Sequence, residues 1–270
     1  MAVVPFPDHG QLPERWDDDD NDRDSGGRMS FLEHLEEFRK RLVRSLIAVG
    51  VGMGIAFFFI NPIYRFIMRP LQALLPEGGR LVYIAPAEGF LTKLKIALLT
   101  GIILAAPAIM YQVWRFIAPG LYTNEKKLAF PFVALTSIGF VGGAAFSHYV
   151  VFPIMWVYFA SFEDEILQFT PTLSLVFSFY LRMILAMGLI FQMPSLVFFL
   201  ARMGVVTARF LFRHLKYAVL INFVVAAVIT PGGDPLAQAL IAGPMCLLYL
   251  LSILIAWAFG KRRKPAEVET

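Results

Sequence analysis

Two carboxylates, Glu37 and Glu125, stand in the most basic short segments of this chain. Glu37 lies in Phe31-Leu-Glu-His-Leu-Glu-Glu-Phe-Arg-Lys-Arg41, and Glu125 in Phe116-Ile-Ala-Pro-Gly-Leu-Tyr-Thr-Asn-Glu-Lys-Lys127. A carboxylate kept among cations suits the recognition of something more cationic still. A guanidinium fits it best, because its planar fork can be held by two parallel hydrogen bonds. Each glutamate also has a plainer role. Glu33, Glu37 and Arg41 are spaced i,i+4, as are Glu36 and Lys40, which is the pattern of a salt-bridged surface helix. Thr123 can cap a following helix and put Glu125 in its first turn, where a carboxylate complements the helix dipole. Spacing alone favours these plainer roles and leaves both readings open.

The elements around the two glutamates are better specified. Ser30 and Glu33 match the capping-box spacing, and Phe31, Leu35, Phe38 and Leu42 follow as one apolar stripe of a helix. Ile117-Ala-Pro119-Gly120 cannot continue a helix, so Phe116 and Leu121 are offered on a tight loop beside Glu125. Exposed apolar side chains next to a carboxylate make an apolar and anionic groove.

The rest of the chain is membrane. It has 270 residues, 58% hydrophobic and 16% charged, with mean hydropathy +0.65, against roughly 25% charged for soluble domains. Apolar runs near the ~20 residues needed to cross a bilayer fall at 42–60, 96–113, 128–152, 173–200, 217–230 and 236–259. The expected fold is therefore all-α and polytopic, with six transmembrane helices. Fifteen of the 21 Lys and Arg residues after position 28 lie in the segments that share a side with the N-terminus, and none lies in 153–172 or 231–235. The positive-inside rule then puts both termini in the cytoplasm. The fifth run is short, ~21 Å of helix against ~30 Å of hydrocarbon. It must either thin the bilayer or lean on partners, or begin earlier with Arg213 and His214 snorkelling. Residues 61–80 read as an amphipathic helix (Ile63, Phe66, Ile67, Leu71, Leu74) lying along the outer interface.

Residues 1–28 differ from everything after them, holding eight acids and three bases. They have no apolar core of a secretory signal and read as an acidic disordered tail. Residues 29–260 form the six-span domain, and 261–270 a basic cytoplasmic tail.

Enzyme chemistry is excluded by inventory. His34-Leu-Glu-Glu-Phe is not a His-Glu-x-x-His zinc site, and no Gly-x-Ser-x-Gly elbow or P-loop occurs. Asp234 is the only aspartate near a span, so no membrane aspartyl dyad can be built. Cys246 is single and lacks metal-ligand spacing. No catalytic residue, metal, cofactor or nucleic-acid partner is expected. Among polar residues inside the spans, Gln192 is either internal packing glue or a partner-helix contact, and His148 reads as a satisfied histidine. Arg182 must pair or snorkel. A secondary transporter of a small polar or cationic solute, with Arg182, Gln192 and His148 along a midplane path, is the alternative function. It lacks the paired broken helices and repeats usual for such a path.

Three stretches together resemble TatC, the core subunit of the twin-arginine protein translocase. They are Phe31-Leu-x-His-Leu-x-Glu37-x-Arg39-x-Arg41, Tyr111-Gln-Val-Trp-x-Phe-Ile-Ala-Pro119-x-Leu-Tyr122-x-x-Glu125, and Thr230-Pro231 before Asp234. The resemblance covers about 29–260. It implies a receptor in the bacterial cytoplasmic (inner) membrane for the twin-arginine signal peptides of folded cargo proteins. Glu37 and Glu125 would accept the two arginines, beside Arg39, with Phe116 and Leu121 lining the groove. It further implies assembly with TatA/TatB-type single-span membrane proteins and further copies of the chain, driven by the proton motive force. Gln192 and Thr230 would contact partner helices, and Pro70, Pro119 and Asp234 would be family positions. Gln192 departs from the family's usual glutamate, so no titration can occur there. The Thr230-Pro-Gly-Gly-Asp234 turn is one residue longer than the family's commoner form.

Overall fold

The computed structural model describes residues 31–73, 81–117, 129–164, 166 and 168–260. Ten α-helices carry the described chain: α1 (Phe31–Phe58), α2 (Ile60–Ala73), α3 (Glu88–Ile117), α4 (Ala129–Phe146), α5 (Phe152–Ala160), α6 (Leu173–Ile190), α7 (Gln192–Arg202), α8 (Ala208–Arg213), α9 (Leu215–Ile229) and α10 (Pro235–Phe259). Among the described residues, extended segments pair only at the isolated parallel bridge between Val82 and Thr172.

Five helical stretches are long and apolar enough to cross a membrane: Leu32–Phe58, Glu88–Ile117, Phe130–Ala160, Leu173–Arg202 and Pro235–Phe259. The shorter Leu215–Ile229 makes the sixth apolar helix. The expected spans are all present, and the helices run past the apolar runs at most ends. Pro62 does not stop the chain as a helix, because it sits in the first turn of α2, where its missing N–H is not required. Prolines account for two irregularities. Pro194 cannot donate to the Ile190 carbonyl, and the fourth span breaks at Phe191 (φ −64°, ψ −10°) into α6 and α7. The third span passes through a π-helical turn, Ser147–Val151, just before Pro153. Pro244, by contrast, lies inside an unbroken α10.

The fifth span combines both expectations for it. Its helical path starts at Ala208 but turns at His214 (φ −96°, ψ 8°), and the straight part from Leu215 is only 15 residues, ~22 Å. Helix α2 buries Ile67, Met68 and Leu71 as the stripe requires. Phe66, counted on that stripe, is half exposed and stacks on His148 at 4.8 Å.

The core gathers around α6, with α2, α3, α5 and α10 packed about it and Met155, Phe152, Met183, Met187 and Ile241 fully buried. Helices α1 and α3 run antiparallel in close contact. At their crossing a Cβ on Gly52 would lie 2.7 Å from the Gly101 carbonyl oxygen, and one on Gly101 would lie 2.5 Å from the Met53 amide nitrogen. Only glycine at both positions permits this approach, a small-residue crossing of the kind membrane helices use. Gly101→Ala must therefore push the helices apart, costing about 1–3 kcal/mol of stability. Gly50→Ala, where nothing lies within 4 Å, should leave thermal unfolding in detergent unchanged or slightly raised. Equal unfolding temperatures for the two variants would refute the close crossing.

Candidate functional site

The α1–α3 pairing sets the candidate site. From the glycine crossing, the antiparallel register carries His34 of α1 to Phe116 of α3, whose rings stack at 4.5 Å. Phe38, one turn further on, meets the same Phe116 ring edge-on at 5.6 Å. The end of α3 is braced from behind by Trp114, which packs on Phe132 of α4 at 4.9 Å and on Phe199 of α7 at 6.3 Å. Phe116 is thus a half-buried aromatic platform at the end of a fixed helix.

Glu37 stands on the α1 segment that packs against this platform. One of its oxygens, Oε1, accepts from Arg41 Nε at 3.0 Å and also from Arg41 Nη2. The pair is largely shielded, with side-chain exposures of 12% for Arg41 and 17% for Glu37. The second oxygen, Oε2, is buried and meets no hydrogen-bonding partner among the described residues. The same holds for Arg41 Nη1 and for Gln112 Oε1, and the register places Gln112 opposite the Phe38–Arg41 turn. Buried polar atoms left unsatisfied cost about 1–3 kcal/mol each, so three at one helix end mark a place where a polar ligand has something to satisfy. Glu33, Glu36, Glu37, Lys40, Arg41 and Arg44 line a charged hollow of about 490 Å³ there. Arg39 is exposed beside it, and Lys40 pairs with Glu36 at 2.7 Å, both side chains well exposed. Glu125, Leu121 and Pro119 lie outside the described residues, as does the Ser30 cap.

The other singled-out positions fall elsewhere. Gln192 opens α7 at the break, buried, its Nε2 donating to the Gly188 carbonyl at 3.1 Å while Oε1 meets no partner. Its amide lies beside α4, 3.7 Å from where a Cβ on Gly139 would be. Thr230 closes α9 and donates to Ala226 O at 2.8 Å. Pro70 lies inside α2. His148 is satisfied: its Nδ1 is 2.8 Å from Tyr180 Oη. Arg182 is exposed on the outer side of α6, so His148, Gln192 and Arg182 do not converge on a common path.

One polar anchor, Glu88, escaped sequence reasoning, and a second, Asp234, was named there without a structural role. Glu88, buried at the start of α3, accepts from the amides of Ile84 (2.9 Å), Ala85 (3.4 Å) and, across the chain, Ser174 (2.5 Å). It caps its own helix and ties it to the start of α6, beside the Val82–Thr172 bridge. An acid in the first turn of a long apolar run was the available signal, but its cross-chain partner was not legible. Asp234 caps α10, accepting from the amides of Leu236 (3.1 Å) and Ala237 (3.4 Å), and from the Tyr158 hydroxyl. The longer turn before it is closed by Gly232 (φ 81°) and Gly233 (φ 70°), left-handed conformations that only glycine adopts freely.

Residues 33–244 match the family model described as Sec-independent protein translocase protein (TatC). The chain belongs to the TatC family. It is 42% identical over 239 residues to the TatC of Desulforapulum autotrophicum, covering 88% of each chain. It is 41% identical over 234 residues to that of Helicobacter pylori, covering 87% of this chain and 91% of the relative. Its fold matches the crystal structure of a twin-arginine translocase receptor TatC at TM-score 0.75 and 36% identity, over 83% of this chain and 98% of that one. This TatC is accordingly a multi-pass protein of the bacterial inner membrane, a component of the Tat protein-translocation complex and not an enzyme.

The Tyr158 hydroxyl, followed by the two α10 amides, holds the Asp234 carboxyl below its ordinary range. A depressed carboxyl pKa stabilises the fold above the unfolded value, ~3.9, and that contribution disappears as pH falls through the folded value. The stability gap between the parent chain and Asp234→Asn should therefore be widest near pH 6 and close below about pH 4. Thermal unfolding across that pH range checks it, and a gap that grows on acidification would contradict the assignment.

Proposed function

We propose that this TatC is the signal receptor of its translocase, binding twin-arginine signal peptides at the cytoplasmic face through Glu37 and Glu125. The observation that carries the reading is the Glu37 carboxylate, largely shielded, with one oxygen engaged by a guanidinium and the other buried without a partner among the described residues. An environment that already accepts one guanidinium suits another, and the Phe116, His34 and Phe38 rings beside it suit the apolar residues of a signal. Arg39 stands exposed beside it. Glu125 and Leu121, which follow α3 in the sequence, serve the same recognition. In this topology both termini are cytoplasmic, with an acidic segment at 1–28 and a basic one at 261–270.

Transport follows from assembly with TatA/TatB-type single-span proteins and further copies of the chain, and is driven by the proton motive force. Partner helices dock where the bundle is shortest and its polar atoms are unsatisfied, along α9 and at the α6–α7 break, where Gln192 keeps a free acceptor oxygen. Gln192 serves there as an uncharged hydrogen-bonding group. Cysteines at Ile221 and Val224, both lipid-exposed on α9, should cross-link to a partner helix. Cross-links found only along α1 and α3 would place the partners elsewhere.

The receptor reading is tested by binding of a twin-arginine signal peptide to the purified full chain in detergent. Glu37→Ala and Glu125→Ala should each weaken binding about tenfold or more, the loss expected when charge-assisted hydrogen bonds are removed. A Lys-Lys peptide should bind the parent chain comparably weakly, since an ammonium lacks the bidentate fork. Indifference to both the peptide and the glutamates would reduce Glu37 to its helix salt bridge.

A further inference from the structure

Arg182 is a guanidinium on a membrane-spanning helix, and no ion pair or hydrogen bond engages it among the described residues. It shares one face of α6 with Leu175 and Ser178, at steps of three and four, and Leu175 is 71% exposed. That face therefore looks out of the bundle. Lys95, reaching across from α3, donates from Nζ to Ser178 Oγ at 3.1 Å. The nearest acid along α3, Glu88, lies two turns away and is occupied by three backbone amides. Among the described residues neither cation forms an ion pair; the Glu88 carboxylate attracts Lys95 only at a distance, and Arg182 has no such neighbour.

Beside them opens a cavity of about 430 Å³, bounded by α5, the 169–172 segment, α6 and Ile229 at the end of α9. Its wall is mostly aromatic and aliphatic, with Trp156, Phe159, Phe169 and Phe179, and its polar groups are Arg182, Ser178, Thr170 and Thr172. The polar groups sit toward the start of α6. The Leu173–Arg202 stretch has 30 residues, ~45 Å of helix against ~30 Å of hydrocarbon, so both its ends protrude. Ser178 then falls near the edge of the hydrocarbon, and Arg182 about one helical turn inside it. The first acyl carbons lie at that depth, and the Arg182 side chain, tilted toward the helix N-terminus, snorkels to the phosphates just outside the edge.

We propose that this cavity binds one anionic glycerophospholipid from the leaflet at the α6 N-terminal end. Arg182 takes the phosphate, Lys95, held by Ser178 whose own hydroxyl donates to the Ser174 carbonyl at 2.7 Å, adds a second positive charge nearby, and one acyl chain lies against Trp156, Phe159 and Phe179. Charge complementarity selects the occupant. An intramembrane guanidinium without a protein anion needs one from its surroundings, and two cations favour a net-negative headgroup over a zwitterionic one. The apolar wall selects a lipid over a free anion.

The test is native mass spectrometry of the purified full chain, delipidated in detergent and titrated with dioleoylphosphatidylglycerol, dioleoylphosphatidylcholine or inorganic phosphate. One phosphatidylglycerol should be retained, with at least about tenfold weaker retention of phosphatidylcholine and none of phosphate. Arg182→Gln should lower phosphatidylglycerol retention about tenfold and Lys95→Gln less, while Arg182→Lys keeps much of it. Leu175→Trp, which narrows the cavity and leaves both cations in place, should also lower it, so the outcome does not hang on one variant folding. Equal retention of the two lipids overturns the proposal, as does undiminished phosphatidylglycerol binding by Arg182→Gln or Leu175→Trp. If Arg182→Gln binds lipid normally but loses a co-expressed single-span partner, the guanidinium belongs to a partner's carboxylate and the lipid site is refuted.

Discussion

Where α1 crosses α3, no side chain separates the two backbones, and the placement of the recognition face depends on that contact. Lipid tails are as apolar as the side chains they replace, so burying leucine gives membrane helices little reason to associate. Close packing must hold them, and Gly52 against Gly101 brings the backbones nearer than any Cβ would allow. A fixed crossing in an antiparallel pair fixes the register at both ends. At one end it brings His34 and Phe38 to Phe116, and so sets Glu37 beside an aromatic platform rather than in open solvent. A shift of one residue between the helices would turn that platform by about 100° around α3 and dissolve the groove.

The polar anchors follow the same logic from the opposite direction. Because hydrocarbon offers no hydrogen bonds, each buried polar group must find its partner within the protein. Glu88 does so with three amides, His148 with Tyr180, and Asp234 with two amides and Tyr158. Each of these contacts joins elements distant in sequence or closes a turn between them. Among the described residues the buried side-chain atoms without a partner are on Glu37, Arg41, Gln112, Ser147, Trp156 and Gln192. Three of these six stand at one end of the α1–α3 pair and one at the α6–α7 break, the two places where the proposed function requires a ligand or a partner helix.

What was legible in the sequence was whatever a single segment records. Six apolar runs gave the six apolar spans, and i,i+4 spacing gave the Glu37–Arg41 and Glu36–Lys40 pairs. Prolines whose effects depend on packing were not resolved the same way: Pro194 breaks its helix and Pro244 does not. Contacts between segments were invisible as well. Nothing in the apolar run around Ser174 announces that its amide caps Glu88 eighty-six residues away. The motif resemblance succeeded where periodicity failed, because a motif records several segments at once. Glu125 and Leu121 were singled out by their basic segment and the Pro-Gly loop, took a role only from the motif, and fall outside the described residues.

The resident guanidinium at Glu37 also bears on how an arginine signal would be read. Arg41 already holds Oε1, so a signal arginine need not pull a bare carboxylate out of water, which is the step that makes buried ion pairs costly. The desolvation of Glu37 is met when the chain folds. An incoming guanidinium can take Oε2, leaving Arg41 on Oε1, and satisfy an acceptor that the fold leaves open. The gain then lies in the hydrogen bonds, with little added for net charge because Arg41 already offsets the carboxylate. Under that condition a lysine loses most of its attraction. Its point charge meets a pair that is near neutral, and it cannot supply the planar fork that the remaining oxygen would share with Gln112 Oε1 across the helix pair. A neutralised carboxylate with one open oxygen thus discriminates arginine from lysine more sharply than a free carboxylate would.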